Sequence, residues 1–465
     1  MSKTNRSQKE RTMDNTDAKN WDNNHFMHPW EGMNEIGKNN RAFIEASNGV
    51  YVTNDAGEKL IDGPAGMWCV QVGYGRHEIA DAMADQARKL AYFSPFNNTS
   101  SITTLFAREV AKRAPGDLNH VFFTTGGSTA VDTAIRFVHF RNNLMGRPNK
   151  KKIISRQKAY HGSTYLAAAV SGKERDRLWL DKPDELAVFL PDVNPLLRKN
   201  GQTVTDFLNE KIADLKNVIV AIGADNIAAF IAEPILASGG VIVPPEGYHK
   251  RCFEICQKYD VLYISDEVVT AFGRLGHWFA SKEVFGIQPD IIICAKGLTS
   301  GYSPMGAAIF SERLMDDVTG PKGRGATFSN GYTYSGHPVS AAAGLASMQI
   351  IERENILDHV RSVTPLFQER LRGLSSLPLV VDARGMGLMG CVQCSYERDK
   401  NSSLENDYEL GALIDAECQK NGLVLRPIIN MCVMSPPLVI SDGQINQMFD
   451  ILGRAIKTVA TSRAL

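Results

Sequence analysis

From about residue 75 onward, short apolar runs alternate with segments whose apolar residues recur every three or four positions. The runs Val121–Phe123, Lys152–Ser155, Ala228–Ala232, Val261–Ile264 and Ile291–Cys294 read as buried strands. Segments such as "YHKRCFEICQKYD" lie between them and carry the helical period. Strands that alternate with helices predict βαβ units and a largely parallel sheet covered on both faces. Ahead of this region, "GVYVTNDAGEKLIDG" reads as a hairpin: Val50 and Val52 alternate, Asn54 to Gly57 turn, and Leu60 and Ile61 follow. From about His337, the helix "PVSAAAGLASMQIIERE" opens a last segment of mixed strands that ends in a helix around Gln444–Thr458.

This pattern divides the chain into a polar tail (1–20), an N-terminal part of a small domain (21–75), a large α/β domain (76–336) and a C-terminal small α+β domain (337–465). The tail has no apolar core of the kind a signal peptide needs, and Met13 offers a second candidate start. No apolar run approaches the ~18 residues of a membrane span. Lys+Arg and Asp+Glu balance at 51 each, so charge gives no reason to expect nucleic acid or an anionic membrane as partner. Eight cysteines without a framework, in a chain too long to need staples, point to a reducing compartment. The protein is therefore expected to be soluble and cytoplasmic.

Ligands of open α/β sheets bind beyond the carboxyl ends of the strands, and three such ends carry chemistry here. In "FFTTGGSTAVDTAIRFV" (Phe122 to Val138) a strand enters Gly126, Gly127 and Ser128, then a helix bearing Val131, Ala134, Ile135 and Val138 at helical spacing. A helix start presents unpaired N–H groups to an anion, and Ser128 can cap the helix and donate its hydroxyl. The Gly-Lys-Ser/Thr ending of a nucleotide P-loop is missing. Past Val261–Ile264 stands Asp266, and past Ile291–Cys294 stands Lys296. For a lone Asp the plain alternative is a helix N-cap. A lysine leaving an apolar strand is unusual, and burial makes its amine a Schiff-base nucleophile. The two lie about thirty residues apart, one βαβ step, which suits neighbouring strands.

A lysine amine for an aldehyde, a carboxylate for a ring nitrogen and N–H donors for a phosphate together suit pyridoxal 5′-phosphate. Tyr160, in "KAYHGST", then offers an aromatic plate for the cofactor ring, and Val268 can press on the opposite face. Two other motifs point elsewhere. "GMGLMG" (Gly385–Gly390) is a literal G-x-G-x-x-G, but an extended run, "CVQCSY", follows it where a dinucleotide-binding oxidoreductase needs a helix. Cys391 and Cys394 form a CxxC inside a strand-like run with no second pair, so no metal site is expected.

Nearly the whole chain, from "FMHPW" to the C-terminal helix, resembles the class III (omega) aminotransferases of PLP fold type I, whose type is aspartate aminotransferase. The resemblance rests on "DGPAGMWCVQVGYG", "AYHGST", "FIAEPILASGGVIVPP", "ISDEVVTAFGRLG", "CAKGLTSGY", "GYTYSGHP" and "VLRPIINMCVMSPPL". It implies a large, mostly parallel sheet domain plus a small α+β domain made from both chain ends. By the same resemblance, Lys296 carries the cofactor and shuttles the proton, Asp266 holds the pyridinium, and Tyr160 and Val268 sandwich the ring. Glu233 and His161 stand beside it, and Gly127 and Ser128 bind the phosphate with Thr333 of the other subunit. The active site is then shared across a homodimer, with a tetramer left open. Trp68, and Trp30 from the other subunit, line the substrate pocket, with Ser238 where many members have alanine. Arg426 is the arginine that pairs with a substrate carboxylate and swings away from substrates without one.

The phosphate loop departs from the usual Ser-Gly-Ser-Glu-Ala-Asn-Asp-Thr: Gly126, Thr129 and Val131 replace Ser, Glu and Asn. "TTGGSTAVDTA" is similar to the loop of taurine–pyruvate aminotransferase-like members. The implied reaction is a ping-pong transfer from an amine or omega-amino acid (taurine, a diamine, a 2,4-diamino acid) to a keto acid such as pyruvate. An aminomutase or decarboxylase on the same scaffold is the rival within the superfamily.

Overall fold

The structure, a computed structural model, describes residues 15–38, 41–396 and 404–462. A helix at Asn15–His25 takes in residues 15–20 of the expected tail; the rest of that tail, with Met13, lies outside the described residues.

Three sheets organise the chain. The strands β1 (Ile44–Asn48), β2 (Tyr51–Asn54) and β3 (Lys59–Asp62) form a meander in which the predicted hairpin is β2–β3, with Thr53 opposite Lys59. Asn54 holds the turn, its Oδ1 accepting the N–H groups of Ala56 and Glu58. The central sheet contains β4 (Leu118–Thr124), β5 (Lys152–Arg156), β6 (Ala187–Leu190), β7 (Ile227–Ala232), β8 (Leu262–Asp266), β9 (Ile291–Cys294) and β10 (Gly306–Ser311), in the order β4-β10-β9-β8-β7-β5-β6. All pairings from β6 to β9 are parallel. Only β10 runs against its neighbours β4 and β9. The strands β11 (Val380–Met386), β12 (Met389–Cys394), β13 (Leu423–Val424), β14 (Arg426–Ile428) and β15 (Met431–Met434) follow. Of these, β11-β12-β15-β14 form the third sheet, and β13 pairs in parallel with β3.

Five of the seven central strands were legible as apolar runs. The two that were not, β6 and β10, are a four-residue piece and a strand beginning "GAA". Gly306 opens β10 for a steric reason: a Cβ there would sit 2.4 Å from the carbonyl oxygen of Gly126. The small residue lets β10 lie against the loop before the first helix of the large sheet. That helix, Gly127–Leu144, buries the predicted stripe Val131, Ala134, Ile135 and Val138 on the sheet. Each Val or Ile so buried contributes roughly 1.5–3 kcal/mol.

The G-x-G-x-x-G pattern is the turn of the β11–β12 hairpin, with Gly385 directly opposite Gly390 and Gly387 at φ 58°. No helix follows, so the geometry of a dinucleotide fingerprint is not formed. Cys391 and Cys394 are buried free thiols on β12, and burial pushes that of Cys391 up to about 12.

Candidate active site

Because β8 and β9 are parallel neighbours, with Asp266 in register with Ile293, the residues just past both strands share one end of the sheet. Asp266 closes β8 and is 4 % exposed. A series of turns follows it where an N-cap would need a helix, so the plain alternative for this carboxylate does not apply. Its Oδ1 accepts the N–H of Val268 at 3.1 Å, and its Oδ2 lies 2.6 Å from Nδ1 of His161. The other ring nitrogen of that buried histidine, Nε2, has no partner among the described residues.

Lys296 begins the short turn after β9 with φ 46°, a left-handed conformation that a lysine adopts at a cost of ~1–3 kcal/mol. Burial pulls its amine below the ordinary lysine range, and the charge of Asp266 opposes that pull. Glu233, just past β7, accepts the N–H of Tyr160 on one carboxylate oxygen and that of Ala237 on the other, each at 3.0 Å. Burial raises its pKa. It ties the loop that carries Tyr160 and His161 to the end of the sheet.

At the first helix, Gly126 takes the cap position in extended conformation, and Ser128 sits inside the first turn. The capping role expected of Ser128 therefore falls to another residue; its hydroxyl accepts the N–H of Ser163 at 3.1 Å. The space here is tight. A Cβ on Gly127 would approach Val268 Cγ2 to 3.2 Å, and one on Gly162 would approach Ser128 Oγ to 2.4 Å. The Tyr160 hydroxyl bonds Ser163 Oγ at 3.0 Å.

These groups surround a cavity of about 370 Å³ lined by Gly127, Ser128, Tyr160, Asp266, Val268 and Lys296, with His161, Glu233 and Ser238 also on its walls. A second lobe of about 200 Å³ shares Tyr160, Ser238 and Lys296 with it, and adds Trp68 and Arg426. Trp68 is 2 % exposed. The ring of this chain's own Trp30 stands 6.4 Å from that of Tyr160 and 6.0 Å from Cζ of Arg426. Thr333 does not reach this chain's cavity; its carbonyl accepts the Tyr92 hydroxyl at 2.5 Å. Burial lowers the pKa of Arg426, which makes no ion pair among the described residues. Sequence reasoning passed over Lys173 and Arg175 on the second lobe, because "GKERDR" reads as a solvated charge run.

The residues fit pyridoxal 5′-phosphate on their own terms. The cavity offers a lysine amine without a hydrogen-bond partner among the described residues, a buried carboxylate held by a histidine, a helix start for a phosphate, and apolar and aromatic walls for a flat ring. The comparisons agree. The family model for aminotransferase class-III matches residues 33–456, and the chain belongs to that family. It is 36% identical over 440 residues to a putrescine–pyruvate aminotransferase of Pseudomonas aeruginosa, covering 94% of this chain and 95% of the relative. It is 37% identical over 418 residues to a mitochondrial gamma-aminobutyrate transaminase of Oryza sativa, covering 89% and 81%. An (S)-enantioselective omega-transaminase of Thermomicrobium roseum superposes with a TM-score of 0.92 at 31% identity, over 96% of this chain and 99% of the other. The protein is thus a pyridoxal-phosphate-dependent transaminase of PLP fold type I, acting on amine or amino-acid donors.

Proposed function

We propose that the protein moves an amino group from an amine or omega-amino acid to a keto acid, with pyruvate as acceptor, in two half-reactions at one site. The observation that carries this reading is the lysine–carboxylate pair on neighbouring strand ends, Lys296 beyond β9 and Asp266 at the end of β8. When bound, pyridoxal phosphate supplies an electron sink for carbanion chemistry at the substrate carbon. Asp266 would hold the ring nitrogen in its protonated form, and His161 fixes the orientation of that carboxylate. Tyr160 and Val268 line the slot and would cover the two faces of the ring, and the helix start at Gly127 and Ser128 would take the phosphate.

Lys296 is the base. Burial keeps its amine neutral at lower pH than an ordinary lysine, so Nζ can take a proton from the substrate carbon and return it. Arg426 pairs with the carboxylate of the keto acid; a guanidinium suits that shape, and among the described residues it meets the Trp30 ring and forms no ion pair. The active unit is a homodimer in the cytoplasm, in which Thr333 of each chain completes the phosphate site of the other. The putrescine–pyruvate relative supports the acceptor.

A panel of donors against pyruvate and 2-oxoglutarate tests the reading. Turnover should require both donor and acceptor, with pyruvate preferred. Steady turnover of a single substrate without acceptor would instead mark a mutase or a decarboxylase.

A further inference from the structure

The two named relatives act on different kinds of donor, a diamine and an omega-amino acid. The second lobe of the cavity bears on that choice. Beyond the shared Lys296, its lining among the described residues carries Lys173, Arg175 and Arg426 against a single carboxylate, Asp176. Asp176 is already engaged: its Oδ1 accepts from Arg175 Nε at 2.9 Å, and its Oδ2 lies 3.4 Å from Lys173 Nζ. The guanidinium is further fixed by Nη1, which donates to the Tyr408 hydroxyl at 2.8 Å. Nη2 of Arg175 is left without a hydrogen-bond partner among the described residues, and so is the guanidinium of Arg426, whose neighbour is the Trp30 ring. Lys173 stands 5.8 Å from the ring centroid of Tyr160, and Arg426 stands 6.0 Å from the ring of Trp30, which meets Tyr160 edge-on.

Three cations around one occupied carboxylate make a wall that repels a second ammonium and attracts a distal anion. Arg175 is oriented by two protein groups and still offers donors, which is how an arginine is prepared for a carboxylate or sulfonate. We propose that Arg175, with Lys173 beside it, is the specificity-determining site for the far end of the donor. The preferred donor is then an amine with a distal carboxylate or sulfonate, and diamines are disfavoured. This rests on the aminotransferase reading above and deepens it.

The test uses the pyridoxal-phosphate-loaded full chain in single half-reactions, followed by the absorbance change of the bound cofactor. The donors are 4-aminobutyrate, taurine, putrescine and 1-phenylethylamine. The wild type should favour 4-aminobutyrate or taurine over putrescine by about tenfold or more in kcat/KM, and the better of the two names the anion. Arg175→Ala should lower the ratio of acid donor to 1-phenylethylamine about tenfold through KM, because Arg175 is partly exposed and its pair is screened. Arg175→Lys should recover part of that ratio. A wild-type preference for putrescine, or an unchanged ratio in Arg175→Ala, would overturn the assignment while leaving an aminotransferase in place. Failure of every donor to change the absorbance would instead strike the underlying reading.

Discussion

Nδ1 of His161 lies 2.6 Å from Oδ2 of Asp266, and both side chains are buried beneath the cavity that holds Lys296. A carboxylate fixed by a histidine presents its remaining capacity in one direction. In Asp266→Asn the cofactor should still bind, because phosphate and lysine contacts survive, but kcat should fall by two orders of magnitude or more. His161→Ala should cost less, about 10- to 100-fold, as loss of an orienting partner does elsewhere. Cofactor absorbance and steady-state rates measured together separate the two outcomes, and near-normal turnover of Asp266→Asn would remove the carboxylate from the mechanism.

Borohydride reduction of the loaded enzyme should fix the cofactor to Lys296 and nowhere else. Peptide mass mapping reads the site directly, and a label on any other lysine would contradict the placement beyond β9.

Burial lowers the pKa of Lys296, which has a consequence for the apoprotein. The folded state binds fewer protons at this amine than the unfolded state does, so its contribution to stability rises with pH between the lowered value and the ordinary lysine value near 10.4. It is lost as pH falls through the folded value. Lys296→Met should flatten that slope and raise the melting temperature of the apoprotein at neutral pH. Thermal melts at several pH values check the sign.

Gly162 has φ +139°, and a Cβ on it would sit 2.4 Å from Ser128 Oγ. Gly162→Ala should therefore push Ser128 out of the helix start. A loss of about 1–3 kcal/mol in stability is expected from backbone strain of this kind, together with weaker cofactor affinity. A titration with pyridoxal phosphate and a melting curve measure both.

Arg426→Ala should impair the half-reaction with keto acids more than the one with simple amines, since only the former bring a carboxylate to the guanidinium. Equal losses in both would count against the pairing.

The sequence alone disclosed the parts of the site that depend on strand ends. Asp266 and Lys296 are read from apolar runs that stop abruptly, and the parallel sheet then brings them together. The helix after Gly127 was visible because its buried stripe has a clean period. What stayed hidden depends on contacts between distant segments. β10 is short in large apolar residues because it must lie against the Gly126 carbonyl, so it gives no hydrophobic signal. Ser128 looks like a cap until the helix is seen to start one residue earlier, with Gly162, more than thirty residues on, leaving the room its side chain occupies. The edge-on contact of Trp30 with Tyr160 joins residues 130 positions apart, and no local pattern announces it. Arg175 was masked by its neighbours, since a charged run resembles any solvated loop until Tyr408 is found holding one of its residues.

The parallel pairing of β13 with β3 joins Leu423 to Ile61, residues more than 350 positions apart. A ribosome must therefore extrude almost the entire polypeptide before this sheet can close. Arg426, which opens β14 just beyond β13, reaches the cavity only after that closure. The large sheet is complete in sequence by Ser311, although one of its faces packs on Ala341, Ala343, Ile350 and Ile351 of a later helix. During synthesis the strand ends that carry Asp266 and Lys296 therefore emerge well before Arg426, and the last side chain of the second lobe arrives only with the C-terminal segment.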